Sequence, residues 1–182
     1  MIYDLKPLFD MQHVLDDRIV EEKELDGQNL LQEKILALQV ELAECANEWR
    51  GFKFWSENRE PRKKAVRNPQ MFEEDKEYYN PLLEEYVDCL HFILSIGLEH
   101  EIDDGIEGLA IEPIQFSSVV EQFSSLMAED WYNFEFGSGA YYHSGLELFI
   151  GLGEMLGFTW DQIVQAYKEK HAINIQRQNN GY

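Results

Sequence analysis

Glu41, Glu44 and Glu48 recur at spacings of three and four in a stretch, ELAECANE, whose other positions are almost all apolar. On a helix their carboxylates occupy a wedge of roughly 60°. Like charges at these spacings repel, and no Lys or Arg stands three or four residues from any of them. Around them Ile35, Leu38, Leu42, Cys45 and Trp49 repeat at helical spacing, with Val40, Ala43 and Ala46 alongside. The pattern describes a narrow acidic stripe on an otherwise buried helix. Unpaired buried carboxylates are costly unless a cation compensates them, so a fold that buries the stripe has to bring a cation to it. A hard metal ion with oxygen ligands meets that condition. The plainer alternative is an acidic stripe facing solvent.

A second stretch, EEYVDCLHF, repeats the device. Glu85 and Asp88 stand at i, i+3 among Leu82, Leu83, Val87, Leu90, Ile93 and Leu94, again with no Lys or Arg at helical spacing. Two helices that each offer a carboxylate pair from an apolar background can face one another and enclose Mg²⁺ or Mn²⁺. One E-x-x-E is weak as a signal. Followed by E-x-x-D on a later helix it is much stronger, because both pairs share the same defect.

The charge balance narrows the partners. Lys and Arg total 15 against 35 Asp and Glu, for a net charge of −20. Such a surface repels nucleic acid and anionic membranes. The two cysteines, Cys45 and Cys89, each follow a candidate ligand, and the simplest account is two small buried residues in similar helices. Nothing suggests a secreted disulfide framework. No apolar run reaches the roughly 18 residues that span a bilayer, and no signal peptide is apparent. The expectation is a cytoplasmic protein.

Every strong periodic signal is helical, giving an all-α, single-domain bundle of about six helices over residues 1–182. Asp4 is positioned to cap a first helix through about Glu24, with Leu8, Met11, Leu15 and Ile19 on one face and Gln12 among them. The acidic-stripe helix runs from about Asn29 to Arg50 and ends at Gly51. Phe52-Lys53-Phe54-Trp55 follows, either as core with a snorkelling lysine or as the aromatic wall of a pocket. Residues 56–79 read as a mobile basic loop. Between Arg50 and Arg67 lie seven of the 15 basic residues, either solvated or forming a cationic arm over an anionic ligand.

Asn80-Pro81 opens the second acidic helix, which runs to about His100. Residues 101–115 form a loop. A helix over about 116–133 uses Val119, Val120, Phe123, Leu126 and Met127 as core. Gly137-Ser-Gly139 is a turn. The next helix, about 140–156, contains Gly145, Gly151 and Gly153, which implies close helix–helix contact. Thr159 and Gln162 form a capping box for the last helix. On that helix Tyr167, Lys170, Asn174 and Arg177 share one face within roughly 80°. Two cations, an amide and a phenol there suit phosphates and a polar ring. A C-terminal helix with favourable terminal cations is the alternative.

These motifs, in this order, resemble those of the dimeric all-α dUTPases, relatives of the MazG-like nucleoside triphosphate pyrophosphatases. The matching segments are LFDMQHVLDDRI, ELAECANEWRGFKFW, EEYVDCLHF and KHAINIQRQNNGY, spread over nearly the whole chain. The resemblance departs at His171, where members often carry Asn, and in the long segment between the acidic pairs.

What the resemblance implies is Mg²⁺-dependent hydrolysis of dUTP, and of dUDP, to dUMP by a homodimer. Glu41, Glu44, Glu85 and Asp88 would be metal ligands, with Glu48 a further ligand or a support. Glu41 or Glu44 would orient the attacking water. Lys170 and Arg177 would hold phosphates, and Gln12, Trp55 and Asn174 would recognise uracil and sugar. Phe92 would pack against the deoxyribose, and Lys53 and Tyr182 complete the substrate-binding set. Two rivals are a pyrophosphatase for another nucleotide such as dCTP, and a non-catalytic acidic helical interaction protein. A di-iron bundle is weaker, since its chemistry wants two E-x-x-H motifs.

Overall fold

The computed structural model describes residues 3–102, 111–132 and 140–181. Among them are six α-helices: α1 (Lys6–Glu22), α2 (Leu31–Trp49), α3 (Pro81–Glu99), α4 (Val119–Ala128), α5 (Ala140–Met155) and α6 (Trp160–Asn179). A short antiparallel pair, β1 (Ala65–Val66) and β2 (Tyr78–Tyr79), sits between α2 and α3. The helices share one core, with α3 at its centre. Leu82, Tyr86, Val87, Cys89, Leu90, Ile93, Leu94 and Ile96 of α3 are all fully buried. α2 packs most extensively on α3, which α1 and α6 also contact, and α4 packs on α5.

Local signals fix most helix ends. The Asn80 side chain accepts the Leu83 N–H at 3.2 Å, with Pro81 at the first helical position. Ser118 accepts from Glu121 N–H, and Thr159 and Gln162 form both bonds of the capping box. Two expectations need correction. Leu5, not Asp4, precedes α1, and no side chain caps it. Arg50, not Gly51, takes the left-handed conformation that ends α2, at φ 65°. Gly51 is needed for another reason: a Cβ there would lie 2.2 Å from the Trp49 ring.

Helix α4 is shorter than its periodicity implied, and its buried face is turned. Phe123 and Leu126 are core, but Val120 and Met127 are exposed and Gln122 is fully buried. Gln122 takes a core position because its amide is satisfied there. It donates to the Ile114 and Leu148 carbonyls at 2.8 and 2.7 Å and accepts the Phe116 N–H at 2.8 Å. The glycines of α5 do mark close approach, though not always between helices. A Cβ would strike the Trp131 ring at Gly145, the Ile114 carbonyl at Gly151 and the Tyr86 hydroxyl at Gly153. The turn at 137–139 lies outside the described residues, as does part of the loop at 101–115.

The basic segment is tied down along much of its length. Arg62 N–H donates to Glu48 O, Leu82 N–H to Arg62 O, and Lys63 Nζ to Leu156 O at 2.8 Å. The Phe-Lys-Phe-Trp turn is not core. Phe54 and Trp55 are 82% and 65% exposed and stack edge-on, with Phe52 half-buried beside Trp55.

Candidate active site

Helices α2 and α3 bring the two acidic motifs face to face. One carboxylate oxygen each from Glu41, Glu44 and Glu85 lie within 4.8 Å of one another. Glu41 and Glu85 are half-buried and Glu44 is exposed. Repulsion at this range is on the order of 1–3 kcal/mol per charged pair in a half-buried setting. The fold therefore favours protons or a cation here. Burial, then the Asp88 and Glu44 carboxylates, push Glu41 up to about 7. Burial, then Asp88, Glu41 and Glu44, do the same to Glu85, also to about 7.

Asp88 stands apart from the trio. Its Oδ2 accepts Lys170 Nζ at 2.5 Å, and Lys170 also reaches Glu84 Oε1 at 3.4 Å. Burial raises Asp88, while Lys170 opposes the shift. Glu84 is held from its other side, where Oε2 accepts Arg67 Nη2 at 2.7 Å. Glu48 pairs through Oε1 with Arg62, and its buried Oε2 has no partner among the described residues.

Three hard carboxylate donors converging from two helices, with an orphaned carboxylate oxygen one turn away, fit a divalent ion with oxygen ligands. Two thiols lie directly beneath. Cys45 and Cys89 are fully buried and reduced. They serve as small core residues under the ligands.

A buried polar chain runs from α3 into α1 and α6. Gln12 is 3% exposed, and its Nε2 donates to Asp16 Oδ1 at 2.6 Å. Its Oε1 accepts the Tyr167 hydroxyl at 2.8 Å and His91 Nδ1 at 2.7 Å. An amide oxygen only accepts, so Nδ1 carries the His91 proton. Nε2 is then a bare acceptor, buried and without a partner among the described residues. Burial, followed by His171 and Lys170, lowers His91 to about 3 and keeps it neutral. Asp16 also accepts Ser95 Oγ and, at 3.2 Å, Lys34 Nζ.

The sequence-derived residues thus distribute unevenly. Glu41, Glu44 and Glu85 converge, and Asp88 pairs with Lys170 beside them. Phe92 follows Asp88 by one turn and is half-buried. On α6 the expected binding face turns from core to solvent. Tyr167 is fully buried on Gln12 and on the Leu8 carbonyl, Asn174 is half-buried, and Arg177 is exposed with Nη1 3.5 Å from Asn174 Oδ1. Lys53 lies 5.5 Å from the Phe52 ring centroid. Trp55 is in the exposed turn, and Tyr182 lies outside the described residues. Glu84, Asp16, Ser95 and His91 were not picked out from sequence as site residues. Glu84 and His91 both lie within the EEYVDCLHF stretch, where no local pattern marks their contacts.

A family model described as dUTPase matches residues 4–69 and 72–182 of the chain. No curated protein matches it.

Proposed function

The chain belongs to the all-α dUTPase family and hydrolyses dUTP, and from that premise we propose how its own residues do so. The observation that carries the reading is the convergence of Glu41, Glu44 and Glu85 within 4.8 Å, with Asp88 one turn along α3. These four would hold Mg²⁺, or Mn²⁺, with Glu48 as a further ligand or support. A divalent ion there would neutralise phosphate charge and acidify a water molecule. Glu41 or Glu44 orients the attacking water and takes its proton. Lys170 and Arg177 hold phosphate oxygens, the guanidinium through its planar fork.

Phe92 packs against the deoxyribose. Asn174 and Trp55 contact the nucleoside, together with Lys53 and Tyr182. Gln12 contributes from beneath, its amide bonded to Asp16, His91 and Tyr167 and one Nε2 hydrogen uncommitted among the described residues. The proposed product is dUMP, with dUDP as a second substrate, in a cytoplasmic homodimer. No described helix is long and apolar enough to cross a membrane. An uncharged groove between α2 and α4, about 350 Å³ and bordered by Phe52, supports self-association.

The test is a panel of nucleoside di- and triphosphates with Mg²⁺, scored for monophosphate and for pyrophosphate or phosphate. A site that hydrogen-bonds the uracil edge can reject cytosine by about 10⁴-fold. Turnover of dCTP equal to that of dUTP would move the base specificity elsewhere. Full turnover in excess EDTA would remove the metal from the reading.

A further inference from the structure

We propose that Lys170 stands in for the metal at Asp88, and that Glu84, braced by Arg67, receives it when metal takes Asp88. The proposal rests on reading Glu41, Glu44, Glu85 and Asp88 as the metal cage. Four charged groups run in series along α3 and its neighbours: Arg67, Glu84, Lys170 and Asp88. Arg67 Nη2 is 2.7 Å from Glu84 Oε2, Lys170 Nζ is 3.4 Å from Glu84 Oε1, and Lys170 Nζ is 2.5 Å from Asp88 Oδ2. The lysine is largely buried, at 13% side-chain exposure, so its charge is not screened away.

A lysine ammonium and a divalent ion repel, and both seek the same Asp88 carboxylate. Lys170 must therefore give up Oδ2 before Asp88 can join Glu41, Glu44 and Glu85. Glu84 lies one helical turn back from Asp88, already within reach of the same ammonium. Arg67 occupies the other oxygen of Glu84, which keeps that carboxylate out of the cage and facing Lys170. A flexible four-carbon stem allows the short transfer without backbone movement. Parked on Glu84, Lys170 stays beside the cage with N–H donors left for a phosphate. Glu84 is thus a positioning residue, acting through Lys170.

Calorimetric titration of the full chain with Mn²⁺, without nucleotide, tests this directly. Lys170→Met removes the competitor and should tighten Mn²⁺ binding by about tenfold. Glu84→Gln removes the parking place and should weaken Mn²⁺ binding in the presence of Lys170. The double variant should bind like Lys170→Met, because Glu84 matters only through the lysine. Unchanged or weaker binding in Lys170→Met would overturn the proposal. So would an equal loss from Glu84→Gln in both backgrounds, which would make Glu84 a direct charge contributor. If circular dichroism shows Lys170→Met to be unfolded, Lys170→Gln is read by the same criteria, since it keeps a hydrogen bond to Asp88 without the charge. No Mn²⁺ binding by the unaltered chain would sink the cage itself, an outcome distinct from unchanged affinity in the variants.

Discussion

Glu41 and Glu85 show at the scale of single residues how the site opposes the fold. Both carboxyls are raised from 4.5 to about 7 by burial and by neighbouring carboxylates. The unfolded chain releases these protons near pH 4.5 and the folded chain near 7. Within that window the unfolded state binds fewer protons, so this contribution lowers stability as pH rises. The melting temperature of the metal-free protein should therefore fall between about pH 5 and pH 8. The Glu41→Gln/Glu85→Gln variant should lose most of that slope in calorimetry with EDTA, and an unchanged slope would refute the assignment. Glu44→Gln should reduce dUTP turnover by at least about 10²-fold while the fold persists. Near-normal turnover in Glu44→Gln and in Asp88→Asn would sink the proposed metal ligation.

Helices α4 and α6 carry the tests at the scale of elements. Gln122 makes three hydrogen bonds to backbone groups, one to the Leu148 carbonyl of α5 and two to Ile114 and Phe116 in the segment before α4. Gln122→Ala leaves those groups unsatisfied and should cost about 3 kcal/mol of unfolding free energy in a denaturant titration. A loss below about 1 kcal/mol would mean that water replaces the amide. α6 is anchored at its start by the Thr159 capping box and by buried Trp160, Ile163 and Tyr167, and opens to solvent toward Arg177. Arg177→Ala should weaken binding of a non-hydrolysable dUTP analogue, with the fold intact by circular dichroism, and Arg177→Lys should restore it only partly. Unchanged affinity would make the end of α6 purely structural.

The whole molecule has to hold a polyanion at a net charge of −20. Much of the basic segment does not help, because Arg62 and Arg67 pair with Glu48 and Glu84 and Lys63 bonds to the Leu156 carbonyl. Lys170, although paired with Asp88 and Glu84, together with Arg177, Lys53 and bound metal, would supply the local positive field in the proposed site. The same charge would keep two copies apart unless they meet through an uncharged face. The groove lined by Ala43, Trp49, Phe52, Val120, Phe123 and Met127 is such a face. Light scattering should give about twice the chain mass, and Val120→Glu should shift it toward one. A dimer untouched by Val120→Glu would place the interface elsewhere.

Sequence by itself determined the helical architecture, since periodic apolar residues and the caps at Asn80 and Thr159 act within a few residues. It also determined that Glu41, Glu44, Glu85 and Asp88 were anomalous, because missing local counter-charges can be read directly from spacing. It did not determine which cation answers them. Lys170 is 82 residues from Asp88, and only the packing of α6 on α3 brings the two together. The burial of Gln122, the exposure of Val120 and Trp55, and the retreat of Tyr167 into the core had the same origin. Periodicity tells which residues share a helix face, but the neighbouring helices decide where that face points and whether a polar group on it finds a partner.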